Sequence, residues 1–439
     1  MWYNTKEKGW KKLKIAFYTL GCKVNQYETN LLREKFEDNG YTVVEDNEKA
    51  DIYCINTCTV TNMSDRKTRQ VISRMRKQNS SAIIAVLGCY AESLKGKEID
   101  ADIIIGNDDK NKTFELVEGC IKNREKKIYL EDISKVKKYT TQGFLKHGYE
   151  IRENIKIEDG CNNFCSYCII PYVRGRVRSR DIEEIKCEAK NLANNNVKEI
   201  VLVGIEVASY GQDLNNGLDL IDVIEEVSKT EGIQRVRISS IEPRYLTEEN
   251  IQRLSKIEKF CPHFHISMQS GSSPVLKRMN RKYDKNLLID VCNNIQKTFK
   301  DATISVDCIV GFPGETDIEF DETVDTIEKM NLMKLHVFKY SKRNFTVAAK
   351  MKDQVDGNTK KERSNVLLEL SNRYTKNTLS KYINKKQKVL FESYKEGYLY
   401  GYTNNYIMVK VRGDKSLCGT IQDVDLISLE TEQMLGTIN

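Results

Sequence analysis

The chain has 439 residues, of which 30% are charged, with 70 basic against 63 acidic side chains and a net charge of +7. That length allows two or three domains with cores of their own, and the mild basicity permits an anionic partner such as RNA without demanding one. Thirteen cysteines, an odd number behind a start with no apolar leader, argue against a disulfide framework; no apolar run approaches the ~20 residues of a membrane span, so a reducing cytoplasm is expected.

From Lys14 strands and helices alternate. The pattern predicts a strand over Ile15–Leu20 and a helix from about Gln26 to Asn39, stopped by Gly40. Strands follow over Tyr41–Val44 and Asp51–Asn56, then a basic helix capped by Ser64 or Asp65 and running to Lys77. Ile83–Leu87 and Ile103–Ile105 are short apolar runs suited to buried parallel strands, giving a small open α/β sheet. Cys22, Cys58 and Cys89 each fall just after a different strand, and in a parallel sheet those ends share one edge, where ligands bind. Spacing alone leaves two readings, core packing or three ligands converging on a rim. Cys54 lies inside its strand and reads as core. Cys120, Cys187, Cys261, Cys292, Cys308 and Cys418 read as small buried hydrophobes.

A second set of cysteines is compact. Cys161, Cys165 and Cys168 form a C-x3-C-x2-C loop after a predicted strand, Asn154–Ile157. Three thiolates on one short loop can hold three corners of a [4Fe–4S] cubane, which usually takes four, leaving one iron open to a small molecule. A zinc knot would need a second cysteine pair downstream, and none follows. The ladder Arg174, Arg176, Arg178 and Arg180 would share one side if extended, a strip suited to phosphate or carboxylate. Further strand-like runs at Ile200–Val203, Val236–Ser239, Phe264–Met268, Ile304–Ile309 and Leu335–Tyr340 complete six βα units. Their C-terminal ends carry Gly204-Ile205-Glu206, Glu242-Pro243, Gln269-Ser270-Gly271 and Gly311 to Glu315, which reads as a ligand-lined mouth. His263 and His265 share a strand face without a third ligand and read as core or hydrogen-bonded.

After a charged helix from about Lys360 to Lys381, Tyr398, Tyr400 and Tyr402 alternate, as do Ile407, Val409 and Val411, with turns at Glu396-Gly397 and Arg412-Gly413-Asp414. This is the pattern of a small β-barrel. Its tyrosines beside lysines suit base stacking or ordinary barrel packing equally.

On these residues the chain resembles the radical S-adenosylmethionine (SAM) methylthiotransferases. The loop Asp159-Gly-Cys-Asn-Asn-Phe-Cys-Ser-Tyr-Cys168 is similar to their SAM-cluster loop. Thr19-Leu-Gly-Cys-Lys-Val-Asn25, Asn56-Thr57-Cys58 and Gly88-Cys89-Tyr90-Ala91 are similar to their other cysteine motifs, in the family's order. The resemblance implies an auxiliary [4Fe–4S] cluster on Cys22, Cys58 and Cys89 and a SAM-binding [4Fe–4S] cluster on Cys161, Cys165 and Cys168. It implies an α/β architecture: an N-terminal methylthiotransferase domain (12–122), a linker (123–146), a radical SAM core with a partial (β/α)6 barrel (147–375) and a TRAM-like RNA-binding β-barrel (376–438). Tyr167 would lie near the SAM adenine, with Arg174, Gly204, Glu206, Gln269 and Gly311 around the cofactor. The implied chemistry is reductive cleavage of SAM to a 5′-deoxyadenosyl radical, which attacks an unactivated C–H bond, followed by transfer of a methylthio group assembled at the auxiliary cluster. A monomer acting on the anticodon loop of tRNA, with an electron donor, is implied as well.

The Leu-Gly-Cys-Lys-Val-Asn around Cys22 resembles the branch acting at C2 of N6-threonylcarbamoyladenosine, at tRNA position 37. Gly160–Arg180, Met279-Asn280-Arg281 and Ser341-Lys342-Arg343 fit that branch too. The isopentenyladenosine branch typically shows Tyr-Gly-Cys-Gln-Met-Asn and the ribosomal-protein (aspartate) branch Leu-Gly-Cys-Pro-Lys-Asn; these are the alternatives. One departure stands out. Phe345-Thr346-Val347-Ala348-Ala349 replaces the branch's Gly-Thr-Pro-Ala-Ala, and losing glycine and proline together is expected to alter the loop's backbone.

Overall fold

The computed structural model describes residues 12–438. They divide into two compact units. The first holds the chain up to Val136 together with Thr140–Leu145 and Tyr172–Arg174; the second holds Lys137–Tyr139, Lys146–Pro171 and the chain from Gly175 on.

The first unit is built on a parallel sheet of β1 (Lys14–Thr19), β2 (Thr42–Val44), β3 (Ile52–Thr57), β4 (Ile83–Gly88), β5 (Ile103–Ile105) and β6 (Lys127–Tyr129), in the order β2-β1-β3-β4-β5-β6. Every residue of β3 and β4 is buried, as expected of central parallel strands covered on both faces. Helices α1 (Lys23–Asp38), α2 (Asn62–Gln78), α3 (Cys89–Ser93) and α4 (Thr113–Asn123) link the strands. Alternate strand residues feed two cores. Tyr53, Ile55, Ile84 and Val86 pack on Val71, Ile72 and Met75 of α2. Ile52, Cys54, Ile83 and Ala85 pack with Leu32 and Phe36 of α1 and Val117 of α4. Two helix starts differ from expectation. The first begins at Lys23, directly after the extended Cys22, and the second at Asn62, because Thr61 accepts the Ser64 N–H at 3.2 Å and caps the helix itself.

The second unit carries all six expected barrel strands: β7 (Arg152–Lys156), β10 (Glu199–Val203), β11 (Arg235–Ile238), β12 (His263–Gln269), β13 (Thr303–Val310) and β14 (Lys334–Lys339). A short antiparallel pair, β8 (Glu158–Asp159) with β9 (Arg178–Ser179), brackets the cysteine loop. The parallel sheets β11-β10-β7 and β12-β13-β14 are joined by bridges at Val236–Phe260 and Ile241–Ile266, so the six strands run side by side in chain order. A helix over Gly357–Ser380 then leads to a closed barrel of β15 (Lys386–Lys395), β16 (Tyr398–Thr403), β17 (Met408–Arg412), β18 (Ile421–Glu430) and β19 (Gln433–Ile438).

This small barrel docks on the N-terminal ends of the parallel strands. Arg235 donates to the carbonyls of Tyr402 and Lys388, each at 2.8 Å, and Arg237 bridges Glu199 (2.7 Å) and the Asn404 carbonyl (3.1 Å). His263, at the start of β12, stacks on Tyr406, which stacks on Tyr402. Tyr402 is therefore spent on an internal contact rather than offered to a base. Both strand-face histidines are hydrogen-bonded, His263 to Ser305 and His265 to Asp307.

Two further expectations are corrected. Cys187 is exposed and Cys418 half-exposed, whereas Cys54, Cys120, Cys261, Cys292 and Cys308 are buried. The arginine ladder is not one strip, because Arg174 follows a helical turn at Ile170–Val173 and only Arg178 sits in a strand. Arg178 and Arg180 are buried against Asp159 and Glu188, and Arg176 is exposed over the Phe164 ring. In the loop after β14, φ is +72° at Phe345 and −61° at Val347. Among the described residues no helix is long and apolar enough to cross a membrane.

Candidate cluster and cofactor sites

In the first unit the three scattered cysteines follow neighbouring strands, Cys22 after β1, Cys58 after β3 and Cys89 after β4. The letters around them explain how the strand ends are locked together. Asn25 donates to the carbonyls of Leu20 (2.7 Å) and Thr57 (3.0 Å). Asn56 returns a bond to the Asn25 carbonyl at 2.9 Å, and Thr57 Oγ1 links the Leu87 carbonyl to the Tyr90 N–H. Gly88 sits at φ +98°, and a Cβ there would lie 2.7 Å from Asn56 Oδ1 and 2.8 Å from the Thr57 carbonyl. Cys89 is buried, Cys58 half-buried and Cys22 exposed. Burial pushes the Cys58 thiol up to about 11, so a nearby cation is needed to hold it as thiolate.

Beneath this rim lies a buried charge cluster. Arg174 grips Glu28 through both terminal nitrogens (2.9 and 3.2 Å), and Lys110 pairs with the same carboxylate. Arg174 also reaches Asn25 Oδ1 at 2.7 Å and points Nε at Cys89 Sγ from 3.3 Å. The sequence placed Arg174 beside the other cysteine set; the structure places it here. Removing Glu28 would leave two buried cations facing each other, a loss of about 3–5 kcal/mol. The Arg174 guanidinium, with an N–H aimed at Cys89, suits a metal–thiolate group carrying net negative charge. Glu28, Lys110 and Asn107, whose Nδ2 holds the Val173 carbonyl at 2.7 Å, were not singled out by sequence. Glu28 lies one turn beyond Asn25 on α1, which is the one signal that could have found it.

In the second unit the cysteine loop leaves β8 at Gly160, where a Cβ would fall 1.9 Å from the Arg176 carbonyl. The Cys161 N–H then binds the Gly175 carbonyl, and the Cys168 N–H closes a turn on the Cys165 carbonyl at 2.9 Å. Two distant segments pin the loop. Ser166 donates its N–H to Met279 O and its hydroxyl to Arg278 O, Asn280 Nδ2 binds the Phe164 carbonyl, and the Ala348 N–H binds Ser166 O at 2.8 Å. Tyr167 packs against Val275, Met279, Phe312, Tyr340 and Ala348. Burial pushes Cys168 up to about 12 and Cys161 higher still.

The expected mouth residues play different parts. Glu206 is buried, held up to about 7 by burial and opposed by Arg281, and its Oε1 has no hydrogen-bond partner among the described residues. Arg281 is buried beside Tyr167, Tyr283 and Cys165, with Nε likewise without a hydrogen-bond partner among the described residues. An orphaned carboxylate oxygen and an orphaned guanidinium N–H facing one cysteine loop fit a zwitterionic ligand. Gln269 ends β12 at φ +67°, strain of the kind stored at functional sites. At Gly204 a Cβ would meet the Glu158 carboxylate at 2.6 Å, and at Gly311 the Lys360 stem at 2.3 Å. Arg281 and Glu158 were missed as site residues, though Arg281 lay within a quoted motif. Among the described residues no three His, Cys, Asp or Glu side chains gather tightly enough for one metal ion; the corners of a cubane lie farther apart.

Residues 155–327 match the Radical SAM superfamily, and residues 14–106 match a family described as uncharacterized, UPF0004. A threonylcarbamoyladenosine tRNA methylthiotransferase (MtaB) of Bacillus subtilis is 40% identical over 422 residues, 94% of this chain and 93% of the relative. A tRNA-2-methylthio-N(6)-dimethylallyladenosine synthase of Alkaliphilus oremlandii is 33% identical, covering 98% of this chain and 93% of its own. The radical SAM methyltransferase TsrM from Kitasatospora setae superposes with a TM-score of 0.55 over 77% of each chain, at 13% identity, a likeness of fold alone.

Proposed function

Since the chain belongs to the radical SAM methylthiotransferases, with two [4Fe–4S] clusters and SAM as cofactors, we propose that it adds a methylthio group to C2 of N6-threonylcarbamoyladenosine beside the tRNA anticodon. What carries the substrate is the similarity over nearly the whole chain, 40% to a threonylcarbamoyladenosine enzyme against 33% to a dimethylallyladenosine one. In this reading Cys22, Cys58 and Cys89 hold the auxiliary cluster, and Cys161, Cys165 and Cys168 hold the cluster that binds SAM. The bound cofactors supply one-electron chemistry able to break a C–H bond that no general base could open.

The protein's part is to place and to exclude. Arg281 would offer its N–H groups to the SAM carboxylate, Glu206 would accept from its amino group or ribose hydroxyls, and Tyr167 with Gln269 would border the adenine. Gly204 and Gly311 shape the mouth only indirectly, through Glu158 and Lys360. Arg174 serves the auxiliary site, where its N–H toward Cys89 and its pairing with Glu28 hold a positive charge against the thiolates. We assign 12–122 to the auxiliary-cluster domain, 123–146 to a linker, 147–375 to the radical SAM core and 376–438 to the TRAM-like domain. A cytoplasmic monomer served by an external electron donor completes the reading.

The test is mass spectrometry of tRNA nucleosides from a strain lacking the gene, with and without the gene restored. Loss and recovery of 2-methylthio-N6-threonylcarbamoyladenosine is expected. An unchanged level of that nucleoside, with loss of the isopentenyl analogue or of a ribosomal-protein methylthio group, would overturn the substrate and leave the chemistry standing.

A further inference from the structure

We propose that Arg244 is a specificity-determining residue whose guanidinium takes the carboxylate of the substrate's threonylcarbamoyl group; the inference rests on the tRNA reading above. Arg244 sits in the single turn Pro243–Tyr245 that follows β11, at the C-terminal ends of the parallel strands. Its Nε donates to Glu242 at 2.8 Å, and Glu242 is buried, so the inner edge of the guanidinium is anchored. The outer edge is open. The Arg244 side chain is 42% exposed, and neither terminal nitrogen has a hydrogen bond among the described residues. A planar fork held at one nitrogen and open at the other two is the geometry that grips a carboxylate with two parallel bonds.

The place is the mouth, beside the residues assigned above to SAM. Leu202 of β10 and Ile238 of β11 are register partners, and Glu206 and Glu242 each lie four residues further on. Glu206 feels both members of the pair, since Glu242 pushes its carboxyl up and Arg244 pulls it down; Glu242 acts on Tyr283 as well. The turn that carries Arg244 is fixed by its neighbours. The Ile241 N–H binds the His265 carbonyl at 2.8 Å, the Ser267 N–H binds the Ile241 carbonyl at 2.9 Å, and the Tyr245 N–H closes on the Glu242 carbonyl at 3.1 Å. Arg281 stands beside Glu206, Tyr167 and Cys165, so the mouth holds a second guanidinium beyond the one matched to SAM. A threonylcarbamoyl group ends in a carboxylate, whereas a dimethylallyl group is apolar and has none. A charge-assisted pair at Arg244 would therefore separate the two nucleosides, because it rewards one and leaves nothing for the other.

The test uses the full-length, cluster-loaded enzyme as wild type, Arg244→Gln and Arg244→Lys. Two anticodon stem-loop RNAs serve as substrates, one carrying N6-threonylcarbamoyladenosine and one its carboxamide, in which a neutral amide replaces the carboxylate. In Arg244→Gln, KM and Kd for the carboxylate RNA should rise about tenfold to a hundredfold, the scale of a charge-assisted hydrogen bond, with Arg244→Lys in between. The wild type should already bind the carboxamide RNA more weakly, and Arg244→Gln should then lose less than about twofold more, since the partner is already gone. Kd for SAM, RNA-independent SAM cleavage, iron content and melting temperature should stay at wild-type values. An unchanged KM and Kd in Arg244→Gln would overturn the assignment, and so would an equal loss on both RNAs, the mark of a phosphate contact. A raised Kd for SAM would give the guanidinium to the carboxylate of SAM instead, and a lowered melting temperature with lost iron would leave Arg244 only a structural partner of Glu242. A wild type that ignores the threonylcarbamoyl RNA overturns the substrate reading and this one together. A wild type that modifies it, with variants that do not discriminate, overturns this one alone.

Discussion

Gly88 shows how little freedom surrounds the cysteines of the first unit. Its φ of +98° already excludes most side chains, and a Cβ would press on a backbone carbonyl, which cannot move aside without parting β3 from β4. The Gly88→Ala change should therefore destabilise the first unit by roughly 1–3 kcal/mol. It should also displace Cys89 from Cys22 and Cys58. Denaturant unfolding and iron analysis of the reconstituted protein check both parts. About half the iron should be lost, with SAM cleavage in the absence of RNA preserved; full iron with wild-type stability would refute the packing argument. Arg174 makes the complementary point. Its residue type announced an anion partner, but nothing in the sequence could say that the anion was Glu28, because the two meet only after the chain has crossed 146 positions.

At the scale of elements, what could be read was whatever had a period. The strands β3 and β4 are buried on both faces, so they appear as unbroken apolar runs, and Cys58 and Cys89 at their ends could be placed on one rim. Of the barrel strands β10 and β11 are buried throughout in the same way, whereas β7, β12, β13 and β14 are only partly buried. The arginine ladder failed because alternation presumes an extended chain, while a helical turn at Ile170–Val173 intervenes before Arg174. The three-residue β6 escaped because Lys127, Ile128 and Tyr129 are partly exposed and carry no apolar run. Helix α2 was legible as basic, and its outer face repays a test. Arg66, Lys67, Arg69, Arg74 and Lys77 are exposed, and its buried side is Thr68, Val71, Ile72 and Met75. Arg74 pairs with Asp46 and Arg76 with Asp102, but Arg66, Lys67 and Lys77 have no ion pair among the described residues. Such a face fits phosphate contacts. Reversing Lys67 and Lys77 to Glu should weaken tRNA binding at least severalfold at low salt and flatten its salt dependence, with the melting temperature within a degree or two. An unaltered salt slope in a binding titration would mark the face as merely solvated.

For the whole molecule, the two cysteine sets belong to different compact units, each locked by hydrogen bonds of its own, and the small barrel docks on the strand starts in the second unit. This arrangement makes the two sites separable by mutation. Replacing Cys22, Cys58 and Cys89 with alanine should remove half the iron and all methylthio transfer, yet leave SAM binding and reductive SAM cleavage intact. Replacing Cys161, Cys165 and Cys168 should remove the other half and abolish both. The distinction can be read without turnover, because a ligand that binds only the folded state raises stability by RT ln(1 + [L]/Kd), about 2.7 kcal/mol at a hundredfold excess over Kd. SAM should thus raise the melting temperature of the first triple variant as it does the wild type's, and leave the second where it was. Equal stabilisation of both would mean that SAM is held by Glu206, Arg281 and their neighbours without the loop's iron, and the assignment of the open iron to Cys161, Cys165 and Cys168 would fall.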